Sequence, residues 1–273
     1  MIATCWVNGI AGTQLSVADR GLQYGDGLFE TLPVRNGRVP LLEAHLQRLN
    51  AGSRRLGFPA LPLTELRTEI AAAARDQESA ILKLVVTRGE SARGYRAPAD
   101  PQLTRILSRH AYPAYPDAWR EQGICVRVCR TVLGINTQLA GLKHLNRLEQ
   151  VLARAEWDEP DRVQEGLMRD ADGAVIEGTM TNVFVRLADG RIMTPDLQHC
   201  GVAGVMRGYL LERLREAGLA PRIGTLRVAD LDSAREVFVC NSVIGVWPVR
   251  ELDGRHYAVG ELTRMARQWA DQA

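Results

Sequence analysis

Two prolines close together divide this sequence into two halves. Pro113 and Pro116 lie in the stretch HAYPAYPDAWREQG, residues 110–123. Proline lacks a backbone N–H and fixes φ, so neither a long helix nor a central strand is expected there. The 273 residues suffice for two modest domains. We therefore predict an N-terminal domain over residues 1–112, a linker over 113–122 and a C-terminal domain over 123–273.

The first half mixes strand and helix patterns. A strand-like run ends at the Asn8-Gly9 dipeptide, and Asn36-Gly37 marks a hairpin turn with a strand expected on each side. Apolar residues at helical spacing predict helices over residues 41–57 and 63–76. Two further strands are predicted in AILKLVVTRG (80–89) and LTRILSRHAY (103–112). The order of these elements predicts an α+β domain.

The second half shows the same mixture of patterns. Alternating or continuous apolar runs predict four strands, in ICVRVCRTV (124–132), EGLMRD (165–170), NVFVRL (182–187) and EVFVCNS (236–242). Helical spacing predicts helices from about residue 147, over 203–217 and over 259–272. The chain as a whole is predicted to be an α/β (α+β) protein.

The charge and hydropathy of the chain exclude two classes of partner. There are 34 Lys and Arg against 32 Asp and Glu, for a net charge of +2. Nucleic acid and anionic membranes are recognised by a clear basic excess, which is absent here. No stretch approaches the ~20 apolar residues of a membrane-spanning helix. We expect a cytoplasmic protein that binds neither nucleic acid nor membrane.

Cysteine and histidine show no metal-ligand pattern. The five cysteines contain no C-x-x-C pair, and the five histidines are scattered along the chain. Free cysteines are usually buried, so we expect buried or half-buried thiols without disulfides. No metal site is predicted.

The stretch GLKHLNRLEQ, residues 141–150, places Lys143 beside a predicted helix start. Asn146 and Glu149 have the spacing of a capping box, in which each side chain accepts a backbone N–H of the first turn. Lys143 is either a solvated surface lysine or a reactive amine. Leu142 and Leu145 flank it, and partial desolvation would lower its pKa and favour a nucleophile.

Three other features of the sequence complement that lysine. Glu177 precedes a hydroxyl-rich turn, where it either caps the turn or pairs with a protonated cofactor ring. Gly201 and Gly204 precede an amphipathic helix, whose first N–H groups can hold a phosphate. Arg48, on a predicted helix, is either a surface residue or a bidentate phosphate ligand. A lysine, a carboxylate and phosphate-binding groups together are what pyridoxal 5'-phosphate (PLP) requires.

Several longer motifs resemble fold-type IV PLP-dependent enzymes, the group that holds the branched-chain and D-amino-acid aminotransferases. Within that group the chain is similar to the aminodeoxychorismate lyases. The motifs that carry the resemblance run from end to end: DRGLQYGDGLFET (19–31), HLQRL (45–49), TRGESARGYR (87–96), TRILS (104–108), GLKHLNRLEQVLAR (141–154), EGTMTNVF (177–184) and GVAGVMRG (201–208). The resemblance implies the two-domain fold of D-amino-acid aminotransferases, with the Schiff-base lysine on the C-terminal domain and the cofactor between the domains.

The resemblance also assigns residues to the cofactor. It implies that Lys143 forms the Schiff base with PLP and that Glu177 pairs with the pyridine nitrogen. The phosphate would be bound by Arg48, by backbone amides at Val205 and Met206, and by the turn at Asn241 and Ser242. Members of this group are typically homodimers, so a homodimer is implied here.

The implied reaction converts 4-amino-4-deoxychorismate to 4-aminobenzoate and pyruvate, a step towards folate. Lys143 would take the proton from the amine-bearing carbon and serve as proton donor to the leaving group. The substrate carries two carboxylates, so basic and hydroxyl side chains are expected around it. The candidates are Tyr24, Thr31, Arg88, Arg93 and Tyr95.

Two kinds of alternative remain open at this point. D-amino-acid aminotransferases usually carry an Arg-x-His pair where this chain has Arg93-Gly94-Tyr95. Branched-chain aminotransferases usually place a tyrosine five residues after the lysine, where this chain has Leu148. Both departures favour the lyase. A non-catalytic PLP-binding protein is the alternative from another class, and Glu177 argues against it because cofactor storage needs no carboxylate at the ring.

Overall fold

The computed structural model describes residues 4–158 and 162–273, which form two compact units. One unit consists of the chain up to Pro113 together with Leu142–Asn146. The other consists of Ala114–Gly141 and Arg147–Ala273. We call them the first and second units.

This division differs from the predicted domains in two places. The predicted linker, residues 113–122, contains a helix, Asp117–Glu121, and belongs to the second unit from Ala114 onwards. It does so because the Trp119 ring packs edge-to-face on Trp247, 5.3 Å between centroids. The segment that carries Lys143 groups with the first unit, not with the C-terminal part of the chain.

The first unit is an antiparallel sheet with helices on one face. In the described residues its strand order is β2-β1-β5-β4-β3. Its elements are β1 (Thr4–Val7), β2 (Ile10–Ala11), α1 (Arg20–Tyr24), β3 (Gly27–Arg35), α2 (Leu42–Arg55), α3 (Leu63–Ala74), β4 (Ser79–Thr87) and β5 (Thr104–His110).

Alternation along the strands decides which face of this sheet is covered. Leu28, Leu32 and Val34 on β3 are buried, and α2 packs against the same strand. Phe29 and Thr31 point to the opposite face and are only half-buried. The predicted helices and strands of this half are confirmed, with one exception. Asn36 and Gly37 form the expected left-handed turn, at φ 49° and 75°, but helix α2 follows it in place of a second strand.

The second unit is built on a larger mixed sheet. In the described residues its strand order is β11-β10-β9-β13-β14-β6-β7-β8-β12, with β15 paired to β14. Its elements are α4 (Asp117–Glu121), β6 (Ile124–Leu133), α5 (Leu148–Arg154), β7 (Glu165–Asp170), β8 (Ala174–Gly178), β9 (Asn182–Arg186), β10 (Ile192–Pro195), α6 (Val205–Glu216), β11 (Arg222–Gly224), β12 (Leu226–Arg227), α7 (Val228–Asp232), β13 (Glu236–Asn241), β14 (Gly245–Leu252), β15 (Arg255–His256) and α8 (Glu261–Gln272).

The predicted strands and helices of the second half are confirmed, but the buried strands β8, β10 and β14 were not among the four predicted strands. Strand β14 pairs with β13 and, in parallel, with β6. It was missed because Pro248 lies inside it and proline usually disfavours a central strand. Its residues form part of a continuous aliphatic and aromatic core that includes Val126, Val239 and Trp247.

The cysteines are placed as predicted. Cys125, Cys129, Cys200 and Cys240 are buried, Cys5 is half-buried, and all five are free thiols. Burial raises the pKa of Cys129, Cys200 and Cys240 to about 12, so these thiols are unreactive at neutral pH. Separately, among the residues described, no helix combines the length and the apolar character needed to cross a bilayer.

Candidate active site

The segment that carries Lys143 extends the sheet of the first unit. The Phe29 N–H donates to the Lys143 carbonyl (2.9 Å), and the Leu145 N–H donates to the Gly27 carbonyl (3.0 Å). Because β3 is an edge strand of its sheet, these bonds satisfy backbone groups that would otherwise be unpaired. The Lys143 ammonium lies 4.2 Å from the centroid of the Phe29 ring, a cation–π contact. Lys143 is therefore a half-buried amine on a fixed backbone, not a solvated surface lysine.

The predicted capping box after Lys143 is wrong. Helix α5 begins at Leu148, and its N-cap is Arg147, which has no side-chain cap hydrogen bond. The Asn146 side chain instead donates to the Gly25 carbonyl at 3.4 Å. The Glu149 carboxylate accepts the Gly134 N–H at 2.7 Å. Each side chain thus has a partner distant in sequence, and local spacing could not identify it.

Phe29 has a second amine beside it, which the sequence reasoning missed. The Lys83 Nζ lies 5.5 Å from the Phe29 ring centroid, and Lys83 is paired with Thr31 across β3 and β4. The side chains of Phe29, Thr31 and Lys83 therefore share one face of the sheet. One signal could have found Lys83: it is the only lysine other than Lys143 among the 34 basic residues.

Glu177 is a buried carboxylate in the second unit, with 4% of its surface exposed. It lies in strand β8, directly before the hydroxyl-rich turn, as the sequence predicted. Its Oε2 accepts the Val202 N–H at 2.8 Å. The Asn182 side chain donates to the Val202 carbonyl at 3.0 Å, so the Val202 backbone is held from both sides. Burial lowers the pKa of Arg147, and attraction to Glu177 and Glu149 opposes that effect.

A second buried carboxylate, Glu165, braces the turn that follows Glu177. It is fully buried and accepts hydrogen bonds from the N–H and hydroxyl of Thr179 and from the hydroxyl of Thr181. A Cβ on Gly178 would stand 2.8 Å from its Oε2, so only glycine fits there. Sequence reasoning did not single out Glu165, because it lies 12 residues before Glu177 in an ordinary strand pattern.

The start of helix α6 is suited to an anion. Its N-cap is Gly204, no side chain caps it, and its first turn contains no acidic residue. The first N–H groups of a helix lack intrahelical acceptors and carry partial positive charge. Val205 and Met206 are the first two residues of this helix, and their N–H groups are the ones predicted to bind the phosphate. A Cβ on Gly204 would lie 2.0 Å from the Asn182 Oδ1, which explains the glycine.

The turn at Asn241 and Ser242 follows strand β13 in the same unit. The Asn241 Oδ1 accepts the N–H groups of Val243 and Ile244 at 2.8 and 2.9 Å. The Asn241 Nδ2 donates to the Met180 carbonyl at 3.1 Å. The Asn241 side chain thus shapes its own turn and ties it to the turn after Glu177. Any contact with a phosphate would come from the backbone of this turn or from the Ser242 hydroxyl.

Arg48, in the first unit, forms a bidentate ion pair with the buried Glu30. The Arg48 Nε and Nη2 lie 2.8 and 2.5 Å from the two Glu30 oxygens. The His45 Nδ1 lies 2.6 Å from the same carboxylate. Burial opposes ionisation of Glu30, but the Arg48 charge and the hydrogen bonds from His45 and Arg48 lower its pKa to about 2. Arg48 is therefore not a solvated surface arginine. Its guanidinium is positioned by Glu30 and does not need a phosphate to hold it in place.

This pair gives a stability prediction. Glu30→Gln leaves Arg48 and His45 facing a neutral amide, so we expect a loss of about 3–5 kcal/mol in unfolding free energy at pH 7. The Glu30 pKa is lower in the folded state than its ordinary value of 4.5. Its stabilisation is therefore complete above pH 4.5 and is lost as the pH falls towards 2. Urea unfolding at several pH values measures both effects.

Glu43→Gln is the matched control for that experiment. Glu43 pairs with Arg67 on the exposed surface of α2 and α3, where ion pairs contribute little. We expect its unfolding midpoint to equal that of the wild type. If the difference in unfolding free energy between Glu30→Gln and the wild type did not decrease below pH 4.5, the buried ion pair would not be the source of the stability.

The predicted substrate residues fall into two groups. Arg88 is buried, and its guanidinium donates to both Asp26 oxygens and to the carbonyls of Leu56 and Gly57. With its donors used in this way, Arg88 has a structural role, and we withdraw it from the substrate set. Arg93 and Tyr95 are exposed, and Tyr24 is half-buried beside Tyr95. Tyr24, Thr31, Arg93 and Tyr95 remain candidates for contact with a substrate.

Comparison with known proteins gives one consistent result. The family model "Amino-transferase class IV" matches residues 27–252. Aminodeoxychorismate lyase of Vibrio harveyi is 37% identical, over 95% of this chain and 96% of that protein. The crystal structure of 4-amino-4-deoxychorismate lyase from Pseudomonas aeruginosa has 50% identity and a TM-score of 0.94, covering 98% of both chains. A hypothetical aminotransferase from Mycobacterium tuberculosis in a PLP-bound form shares the fold, at 24% identity and a TM-score of 0.82, covering 95% and 93%.

Proposed function

The chain belongs to the class IV aminotransferase family, and we propose that it is a PLP-dependent lyase that converts 4-amino-4-deoxychorismate to 4-aminobenzoate and pyruvate. The observation that carries this proposal is the 50% identity, over 98% of both chains, with the Pseudomonas aeruginosa lyase. The predicted fold-type IV architecture is confirmed by the same match, and the family relationship makes PLP the expected cofactor.

The residues present fit PLP. Lys143 offers an amine held against an aromatic face, and Glu177 offers a buried carboxylate. The start of α6 has uncapped N–H groups and no acidic side chain, as a phosphate requires. We propose that Lys143 and Glu177 hold the aldehyde carbon and the ring nitrogen. Arg48, Val205, Met206, Asn241 and Ser242 complete the proposed cofactor set as phosphate ligands.

When bound, PLP supplies an electron sink next to the carbon that loses a proton. Glu177, as an anion, would keep a proton on the ring nitrogen. The Lys143 Nζ would take the proton from the amine-bearing carbon of the substrate. It would then return that proton to the enolpyruvyl group as its carbon–oxygen bond breaks, which gives pyruvate and the aromatic product without any further reactant. The carboxylates of the substrate would be bound by Arg93, Tyr95, Tyr24 and Thr31, and also by Lys83.

An assay of the purified protein tests this function. Release of pyruvate and 4-aminobenzoate from 4-amino-4-deoxychorismate should greatly exceed keto-acid formation from D-alanine or branched-chain amino acids. The reverse ratio would make the chain a D-amino-acid or branched-chain aminotransferase, the alternative that the family also contains.

Lys83 provides a prediction about substrate affinity. Lys83→Met removes an ammonium from the sheet face that it shares with Phe29 and Thr31. We expect KM for the dicarboxylate substrate to rise about tenfold, because one charge-assisted hydrogen bond is lost. Steady-state kinetics measure the effect, and Lys83→Arg, which keeps the charge, should recover most of it. An unchanged KM in Lys83→Met would remove Lys83 from the substrate set.

We also propose that the enzyme is a cytoplasmic homodimer. The family resemblance supports this assembly, and so does helix α5, where Leu148, Val151 and Leu152 are 76%, 59% and 61% exposed. Their spacing of three and four residues places them on one helix face. Aliphatic surface of this kind is costly in water and is typically covered by a partner. Light scattering of the purified protein would give twice the chain mass if the proposal holds and the chain mass if it fails.

A further inference from the structure

The motif DRGLQYGDG, residues 19–27, contains a buried arginine that the proposed function does not use. Arg20 is 4% exposed and is the first residue of α1. Its guanidinium does not face a cofactor-binding residue. It faces the loop Ser91–Arg96, which we call the 91–96 loop and which carries the substrate candidates Arg93 and Tyr95.

The Arg20 guanidinium binds the 91–96 loop mainly through the backbone carbonyls of the loop. The Arg20 Nη1 donates to the carbonyls of Gly94 (3.1 Å) and Arg96 (3.4 Å), and the Arg20 Nη2 donates to the Tyr95 carbonyl (2.9 Å). Nη1 also donates to the Ser91 hydroxyl at 3.0 Å. Three successive carbonyls therefore converge on one charged group. Hydrogen bonds from a charged donor are stronger than neutral ones, so this arrangement specifies one loop conformation.

The Nε side of the Arg20 guanidinium is also held in place, by a carboxylate. Its Nε donates to the Asp26 carboxylate at 2.8 Å, and Arg88 donates to the same carboxylate at 2.7 Å. Burial opposes ionisation of Asp26, but the hydrogen bonds from Arg88 and Arg20 hold its pKa below its usual value. Asp26 is therefore an anion at any physiological pH and fixes the Arg20 guanidinium in place.

Tyr24 adds a separate connection from the same motif to the loop. Its hydroxyl accepts the Gly94 N–H at 3.2 Å, and its ring meets the Tyr95 ring edge-to-face, 5.4 Å between centroids. Tyr95 itself is 87% exposed. The loop is thus fixed through its backbone while its Arg93 and Tyr95 side chains remain open to solvent.

We propose that Arg20 is a positioning residue for substrate recognition. By holding the carbonyls of residues 94–96, it fixes where Arg93 and Tyr95 stand before the substrate arrives. Ordering a loop in advance removes an entropic cost from binding, and so raises affinity without new contacts to the ligand. This inference rests on the proposed function, because that function makes Arg93 and Tyr95 substrate ligands.

The first test measures the loop itself and needs no substrate. Lys in place of Arg20 keeps the charge but concentrates its donors on one atom, so it cannot reach Asp26 and three carbonyls together. In Arg20→Lys we expect amide hydrogens of residues 91–96 to exchange at least about tenfold faster, with strand β4 unchanged. Hydrogen-exchange mass spectrometry of the holoenzyme measures both segments.

The second test separates KM from kcat. Arg20→Lys should raise KM for 4-amino-4-deoxychorismate about tenfold while kcat changes less than about twofold, because the reacting groups are untouched. Arg88→Lys is the matched control. Arg88 is also buried and shares Asp26, but its remaining bonds go to Leu56 and Gly57 and not to the loop. Arg88→Lys should lower the melting temperature and leave both KM and loop exchange unchanged.

The outcomes distinguish this inference from the proposed function. Unchanged loop exchange in Arg20→Lys, or faster exchange with an unchanged KM, overturns the inference. An equal rise of KM in Arg88→Lys also overturns it, because Arg20 would then act only through general stability. Should Arg20→Lys fail to fold, Ser91→Ala removes one of the four loop acceptors and should give a smaller change in the same direction. A wild type that releases neither product refutes the proposed function, and the exchange experiment still reports on the loop.

Discussion

Lys143→Ala should abolish covalent attachment of PLP and lower lyase turnover by at least about 10³-fold. The estimate combines the loss of the attachment amine with the loss of a proton-transfer group, which alone contributes 10²–10⁴-fold. The Lys143 ammonium lies 4.2 Å from the Phe29 ring centroid, closer than that of Lys83 at 5.5 Å, and its backbone is hydrogen-bonded to β3. Borohydride reduction followed by peptide mass spectrometry should place the cofactor on Lys143 in the wild type and on no residue in the variant.

The chain offers a clean control for this experiment. Lys83 is its only other lysine and lies beside the same ring. Lys83→Met should retain the cofactor on Lys143 after reduction. Cofactor found on Lys83 in the wild type, or a Lys143→Ala variant with near-normal turnover, would show that the attachment site has been misassigned.

Glu177→Gln should leave the fold and cofactor attachment intact and lower kcat by about 10²–10³-fold. A glutamine oxygen can still accept the Val202 N–H, so the hydrogen bond that holds residues 201–203 survives. What is lost is the negative charge that would keep a proton on the ring nitrogen, and removal of one preorganised electrostatic group typically has an effect of this size. Absorbance of the bound cofactor and steady-state kinetics give the two readouts.

Glu149→Gln is the control matched to Glu177→Gln. Both carboxylates act on Arg147, and both accept one backbone N–H, from Gly134 in one case and Val202 in the other. The Glu149→Gln variant should keep the turnover of the wild type. A similar loss of turnover in the two variants would mean that the electrostatic effect of the carboxylates on Arg147, and not a contact of Glu177 with the cofactor, controls the rate.

Most of the regular structure could be predicted from periodicity. Helices α2, α3, α6 and α8 were expected from apolar spacing because one face of each is buried, and the main strands were expected from their alternating or continuous apolar runs. Strand β14 was missed because its pairing with β6 and β13 outweighs the presence of Pro248. The short elements, such as α4, have too few residues for a periodic signal.

The candidate site residues divide in the same way. Lys143, Glu177 and the glycine-flanked start of α6 could be selected from the sequence because each is a recognisable group with a characteristic neighbourhood. Arg48 was selected as well, but its bidentate contact with Glu30 was not foreseen, since the two residues lie on a helix and a strand 18 positions apart. Arg88 was selected for its charge and proved to be saturated by internal acceptors.

By itself, then, the sequence determined the class of fold and selected the candidate lysine and carboxylate, because these depend on local periodicity and on the chemistry of single side chains. Only the tertiary structure decided which arginines are structural, which amine accompanies Lys143 and what holds the 91–96 loop. The physical reason is that the partner of a charged side chain depends on which residues, distant in sequence, the folded chain brings next to it. Arg20 and the Tyr95 carbonyl are 75 residues apart, and no local pattern encodes that distance.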